Sequence, residues 1–263
     1  DPRRFMQTWN KTKDVYKTHG IKGLVTFGKM YLSHITGRQR GAESVNDWAS
    51  LIAPNFAMLD QFRARRWGDK APKFSIIMCV YNTPKPWLAE AISSVVDQTY
   101  PHWQLVLVND ASPEGHIKPA LDQYANQHEQ VKVLHLPENQ GISRATNAGI
   151  AEVDGDYILF MDHDDRLATH ALHRFAETIE SENADIVYAD EAITDEDIHK
   201  VTDIILRPAF AYEYYLNHPY IVHPIAVRKT IVNAIGGLDA RLTVSHDVEF
   251  MLRAIEKSDI ISH

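Results

Sequence analysis

The stretch Tyr157-Ile158-Leu159-Phe160-Met161-Asp162-His163-Asp164-Asp165 decides how this chain is read. Its apolar start has the length and composition of a strand buried on both faces. It ends abruptly in three carboxylates, Asp162, Asp164 and Asp165. Unit charges about 4 Å apart repel by roughly 4 kcal/mol at an effective dielectric near 20, so a positive partner is expected. Oxygen donors without nearby cysteine suit a hard divalent cation, Mg2+ or Mn2+, which keeps some waters and takes other ligands from substrate phosphates. The same residues also suit a solvated acidic turn leading into the next helix. The setting has to decide between the two.

Working outward, strands and helices alternate on both sides. Phe74 to Tyr81 reads as a strand stopped by Asn82-Thr83-Pro84, with a helix from Pro86 or Trp87 to about Gln98. Gln104 to Val108 is a second strand, and Asn109-Asp110-Ala111-Ser112-Pro113 a loop into a helix over Ile117 to Gln127. Val131 to Leu136 and a helix over Ser143 to Ala151 precede the quoted strand. This rhythm predicts βαβ units, a mainly parallel sheet flanked by helices, and ligands at the carboxyl ends of the strands. After the acidic cluster come a helix from Thr169 to Ser181, a short strand from Ile186 to Ala189 and a polar stretch from Asp190 to Lys200. An aromatic segment, Phe210, Tyr212, Tyr214, Tyr215 and Tyr220, follows, with a helix that Asp247 opens. That half reads as built for a second ligand.

The chain has 263 residues, 44% of them hydrophobic, enough for one large α/β domain with an appendage. The single cysteine, Cys79, excludes an internal disulfide and cysteine-rich zinc sites, and reads as a small core residue. No run is long enough to span a bilayer and no signal-peptide pattern is present, so a soluble chain is expected. It starts at Asp1 without Met, which reads as a piece of something longer. The formal charge of -8 is uneven: residues 1 to 40 hold nine Lys/Arg against Asp1 and Asp14, net +7, which leaves -15 for the rest. An acidic body argues against a nucleic-acid partner. Residues 1 to 70 read as a basic helical appendage, with Val45 to Trp67 helical around Pro54, and 71 to 263 as the main domain. The basic, aromatic arm over residues 1 to 40 suits peripheral contact with an anionic membrane surface, or packing against a neighbouring domain.

From Phe74 onward the landmarks resemble glycosyltransferase family 2, inverting enzymes with the Rossmann-like GT-A fold. Ser75-Ile76-Ile77-Met78-Cys79-Val80-Tyr81-Asn82 resembles the opening strand and Val108-Asn109-Asp110-Ala111-Ser112 the second. Asn139-Gln140-Gly141-Ile142-Ser143 with Asn147 resembles the third loop and helix, and Asp162-His163-Asp164 the family's DxD motif. Tyr188-Ala189-Asp190-Glu191, His223 to Arg228, Gly236-Gly237-Leu238-Asp239 and Ser245-His246-Asp247 through Arg253 resemble the acceptor half, especially of branches that build bacterial surface polysaccharides.

The resemblance implies roles. Val80, Tyr81 and Asn82 would line the nucleoside, and Asp110 would accept the imide N–H of uracil or thymine, which favours a UDP- or dTDP-sugar donor. Asp162 and Asp164 would hold Mn2+ or Mg2+, with Asp162 also toward the ribose. Arg144 would add charge near the phosphates, although the family often places an arginine where this chain has Thr146. Asp247 would be the general base, while Asp190, Glu191 and His246 would orient the acceptor, a glycan or lipid-linked glycan. The location implied is cytoplasmic, peripheral on the inner membrane face. A segment that closes over the diphosphate would lie beyond His263. Two other readings stand beside this one: a non-catalytic nucleotide- or glycan-binding module of a larger polysaccharide-assembly enzyme, and a nucleotidyltransferase. The second predicts a glycine-rich phosphate loop after the first strand, where the chain has Tyr81-Asn82-Thr83-Pro84.

Overall fold

The computed structural model describes residues 56–195 and 201–263. The appendage expected over residues 1–70 falls mostly outside them. The described chain divides into two compact units, the larger comprising Phe62–Ala189 and Arg207–His263, the smaller containing Asp190–Leu206.

The elements of the larger unit begin with helix α1 (Phe56–Ala64), which enters it at Phe62. Strands β1 (Phe74–Val80), β2 (Trp103–Asn109), β3 (Val131–His135) and β4 (Tyr157–Phe160) alternate with helices α2 (Lys85–Val96), α3 (Ile117–Gln127) and α4 (Ile142–Ile150). Helix α5 (Ala171–Glu182) leads to β5 (Ile186–Tyr188). In the smaller unit β6 (Glu191–Thr194) and β7 (Val201–Ile205) form an antiparallel pair. The larger unit then continues with α6 (Tyr212–Asn217), β8 (Ile225–Arg228), α7 (Lys229–Ile235), α8 (His246–Ile255) and β9 (Ile261–Ser262).

Seven strands form one sheet in the order β3-β2-β1-β4-β8-β5-β9. Strands β1 to β4 pair in parallel, as the alternating pattern predicts, and β8 runs antiparallel between β4 and β5. β1 lies in the middle because Phe-Ser-Ile-Ile-Met-Cys-Val suits burial on both faces. Its residues alternate between two cores. Phe74, Ile76, Met78 and Val80 pack with Leu88 and Ile92 of α2 and Leu172 and Phe175 of α5, while Ile77 packs with Ala145 of α4 and Phe250 and Met251 of α8.

Three elements depart from the sequence expectation. The polar stretch Asp190 to Lys200 and the residues after it contain the β6–β7 pair, whose residues are half-buried or exposed and carry no core-like run. β8 is only four residues long and sits among loop signals. The aromatic segment is split by burial: Tyr215 and Tyr220 are core residues, whereas Tyr212 and Tyr214 are exposed.

Candidate active site

The carboxyl ends of β1, β2 and β4 lie side by side, so the tips that follow them, 81–82, 110–112 and 162–165, share one edge of the sheet. Val80 is buried at the end of β1, Tyr81 is 45% exposed, and Asn82 takes a left-handed backbone with φ 55. Asn82 N–H donates to Ser112 Oγ at 3.2 Å, tying the first tip to the second. Ala111 is also left-handed, φ 54, as is Ser245, φ 54, immediately before His246-Asp247. Strain of this kind, about 1–3 kcal/mol a residue, concentrates at functional sites. The fourth such residue, Asn183, caps the end of α5, where asparagine is an ordinary choice.

Asp110 is 4% exposed, and its two carboxylate oxygens accept backbone N–H groups of Gln140 and Gly141 at 2.8 and 2.9 Å. Its first task is therefore to latch the loop that opens α4. Each oxygen retains a lone pair for a ligand donor. Arg144 stands exposed on α4.

The acidic turn is pinned at both ends. Met161 N–H donates to the Ile77 carbonyl at 3.2 Å, and beyond the turn Leu167 N–H donates to Ser94 Oγ at 3.1 Å. Antiparallel pairing sets Phe160 opposite Ile225, and continuing that register by two residues sets Asp162 opposite His223. Their side chains meet, His223 Nδ1 lying 3.4 Å from Asp162 Oδ2. The hydrogen bond to His223 holds the Asp162 carboxyl below its usual range against the cost of burial, helped by the charges of His223, His163 and His246. Burial pushes the His223 imidazole down, but the bond to Asp162 and the charges of Asp162, Asp165 and Asp247 outweigh it and raise it overall. Both shifts favour the ion pair.

A cleft joins these groups to the other half of the site. Asp162, His223, His246 and Asp247 contribute polar groups to its lining, and Ile142, Leu238, Phe250 and Met251 apolar surface. The mixture of a few polar groups with apolar surface is that of a small-ligand pocket. Asp247 sits in the first turn of α8. His246 Nδ1 and the Tyr215 hydroxyl are buried with no hydrogen-bond partner among the described residues. Burial, then the nearby charge of Asp247, pushes the Tyr215 phenol up to about 12. Buried polar atoms without partners are uncommon, and both border the expected base. Cys79 also lines the cleft, 3.3 Å from Thr146 Oγ1; burial pushes its thiol up to about 12, which disfavours the thiolate.

The carboxylates fit a divalent cation in part. Asp162 and Asp164 keep about half of their side-chain surface, 55% and 51%, and supply only oxygen. No three His, Cys, Asp or Glu side chains converge as a ready metal cage among the described residues. That suits an ion completed by phosphate oxygens and water rather than a structural metal. Of the predicted residues, then, Val80, Tyr81, Asn82 and Asp110 gather at the β1 and β2 tips, and Asp162, His246 and Asp247 in the cleft. Asp190 and Glu191 belong to the smaller unit. His223, which the sequence offered only as the start of the acceptor-half landmark His223 to Arg228, is the residue whose pairing with Asp162 that reading missed.

Residues 75–231 match the sequence profile described as Glycosyl transferase family 2. The chain belongs to this family. The family 2 chain is 28% identical over 196 residues to the O-antigen biosynthesis protein RfbC of Myxococcus xanthus, covering 74% of this chain but only 15% of RfbC. It is 30% identical over 192 residues to the glycosyltransferase YwdF of Bacillus subtilis, covering 69% of this chain and 68% of YwdF. Among solved structures, S. aureus TarS 1-349 in complex with UDP superposes with a TM-score of 0.62 at 21% identity, over 72% of this chain and 57% of that one. The same TarS fragment with UDP-GlcNAc gives a TM-score of 0.62, also at 21% identity. These likenesses bear out the GT-A expectation for the fold. No helix among the described residues is long and apolar enough to cross a membrane.

Proposed function

We propose that this family 2 chain is a metal-dependent inverting glycosyltransferase, moving a sugar from a UDP- or dTDP-linked donor to a hydroxyl of a saccharide or lipid-linked glycan during polysaccharide assembly. The observation that carries the reading is the cleft lined by Asp162, from the end of β4, and Asp247, from the start of α8, together with His223 and His246. One acid stands with the expected cation and diphosphate and the other with the expected acceptor. UDP and UDP-GlcNAc in the complexes of TarS, which shares the fold, support a uridine-type donor. The name of RfbC supports a place in surface-polysaccharide assembly.

In this reading Asp247 accepts the proton of the acceptor hydroxyl as its oxygen attacks the anomeric carbon. The bond from that carbon to the diphosphate oxygen breaks on the opposite face, its electron pair leaving with the nucleoside diphosphate. Asp162 and Asp164 hold Mn2+ or Mg2+, which when bound neutralises charge on the departing group. His223, hydrogen-bonded to Asp162, favours its carboxylate form. A general base of this kind contributes about a hundred- to ten-thousandfold in rate.

Calorimetry with UDP, dTDP, GDP and ADP, each with Mn2+ and again with chelator, tests the donor half. Metal-dependent preference for UDP or dTDP is expected, and Asp164→Ala should abolish the metal dependence. Asp247→Asn should keep nucleotide affinity while transfer falls by at least about a hundredfold. Transfer by Asp247→Asn at the wild-type rate would remove Asp247 from the role of base.

A further inference from the structure

Behind the second tip lies a run of hydrogen bonds that reaches from α3 to the edge where the nucleotide is placed. Asp122 on α3 stands 2.8 Å from His135 Nε2, at the end of β3. His135 Nδ1 stands 3.1 Å from Asn109 Nδ2, the last residue of β2, and Asn109 and His135 are register partners. Asn109 Oδ1 accepts the Ser112 N–H at 2.9 Å. Ser112 Oγ then contacts the Val80 carbonyl at 3.3 Å and receives the Asn82 N–H at 3.2 Å.

The bonds fix one another's directions. Because Asn109 Oδ1 is the acceptor for Ser112, the group facing His135 is its NH2, a donor only. His135 must then present a lone pair at Nδ1, so its proton sits on Nε2 and is donated to Asp122. The hydrogen bond from His135 holds the Asp122 carboxyl below its usual range, which favours the acceptor form. Asn109 cannot be turned over without setting its NH2 against the Ser112 N–H and its oxygen against the His135 lone pair.

We propose that His135, its tautomer set by Asp122, is a positioning residue for the donor site: acting through Asn109, it holds the strained tip Asp110-Ala111-Ser112 in its nucleotide-binding shape. The proposal rests on the placement of the nucleotide at this edge. Its physical basis is Ala111, whose left-handed backbone would relax if the Ser112 N–H lost its acceptor. Asp110, beside it, would then no longer present its carboxylate to the loop at Gln140 and Gly141.

The test uses His135→Leu, which fills the space without an acceptor, and His135→Asn, whose side-chain oxygen is attached where Nδ1 is and can accept the same Asn109 proton. Two readouts are taken: UDP affinity with Mn2+, and hydrogen exchange of the amides of 110–112 in the protein without nucleotide. His135→Leu is expected to speed exchange at Ser112 and weaken UDP binding about tenfold, the scale of one hydrogen bond to a buried group. With a chosen acceptor, the donor KM should rise while kcat changes less than about threefold. His135→Asn should restore both to within about threefold of wild type. Unchanged exchange at Ser112 in His135→Leu, or no recovery in His135→Asn, overturns the relay, even if the melting temperature falls. Failure of the wild-type protein to bind any nucleotide would instead remove the donor-site reading on which the relay's role rests, and exchange would still report whether His135 holds the tip.

Discussion

Ala111 carries a side chain where the backbone suits glycine, at φ 54. A left-handed L-residue costs roughly 1–2 kcal/mol, and glycine returns about 0.5–1 kcal/mol of that through its greater unfolded freedom. Ala111→Gly is therefore expected to stabilise the protein by about 0.5–1 kcal/mol, a rise of about 2 °C in melting temperature. Its UDP affinity should stay near wild type, because the Ser112 N–H keeps its acceptor. A fall in melting temperature would show that the tip is not strained there. At this scale the acids were the legible part of the sequence. Asp162, Asp164 and Asp247 announce themselves by charge at the end of an apolar run or the start of a helix, and the structure puts two of them in one cleft. His223 and His135 were not legible, because each gains its role from a partner set by strand register, Asp162 across β4–β8 and Asn109 across β2–β3.

Among the elements, β8 is what the sequence hid. Four residues, Ile225–Arg228, leave too little period to declare a strand, yet its antiparallel course between β4 and β5 delivers His223 to the site. The parallel half was readable because β1, β2 and β4 are long or continuous apolar runs between turn residues. The approach to Asp247 depends on helix α4 as well as on α8. Asn147 donates to the Leu238 carbonyl at 2.8 Å and accepts the Leu238 N–H at 2.9 Å, a reciprocal clamp on the segment leading to α8. Gly237 makes it possible: at φ 73, a Cβ there would stand 2.5 Å from Asn147 Oδ1. Arg253 of α8 grips the same segment, donating to the carbonyls of Ile235 and Gly237 at 2.7 and 2.9 Å. Asn147→Ala leaves two part-buried backbone groups unpaired and should cost about 2 kcal/mol in chemical denaturation. Because the loosened segment carries Asp247 and not the nucleotide tips, transfer should fall about tenfold or more with UDP affinity within about twofold of wild type. An equal loss of both would place the effect on the whole unit rather than on the path to Asp247.

The stability of the larger unit is tied to pH by histidines that do not line the cleft. His170 and His173 flank Phe62, whose ring centroid is 6.1 Å from the first and 4.3 Å from the second. Burial, then the charges of Arg174 and His173, pulls the His170 imidazole from 6.5 down to about 4, and burial likewise lowers His173 despite the opposing charge of Glu177. The folded protein thus prefers both rings neutral, while the unfolded chain takes up protons near 6.5. The stabilisation is complete above that value and is lost as pH falls from about 6.5 toward 4. Asp185 works in the window below. Burial raises its carboxyl, but the N–H of Asp259, the Arg228 guanidinium and the N–H of Ile260 together hold it below 3.8, so its contribution persists through the histidine window and disappears in stronger acid. Thermal melting across this range should therefore show two successive losses, the first belonging to the histidines. For His170, partial exposure and solvent screening reduce the full linkage value to about 1–2 kcal/mol. His170→Gln should flatten the decline between pH 6.5 and 4 while leaving the lower step in place. An unaltered slope in that variant would mean that the proton uptake of the unfolding protein comes from other groups.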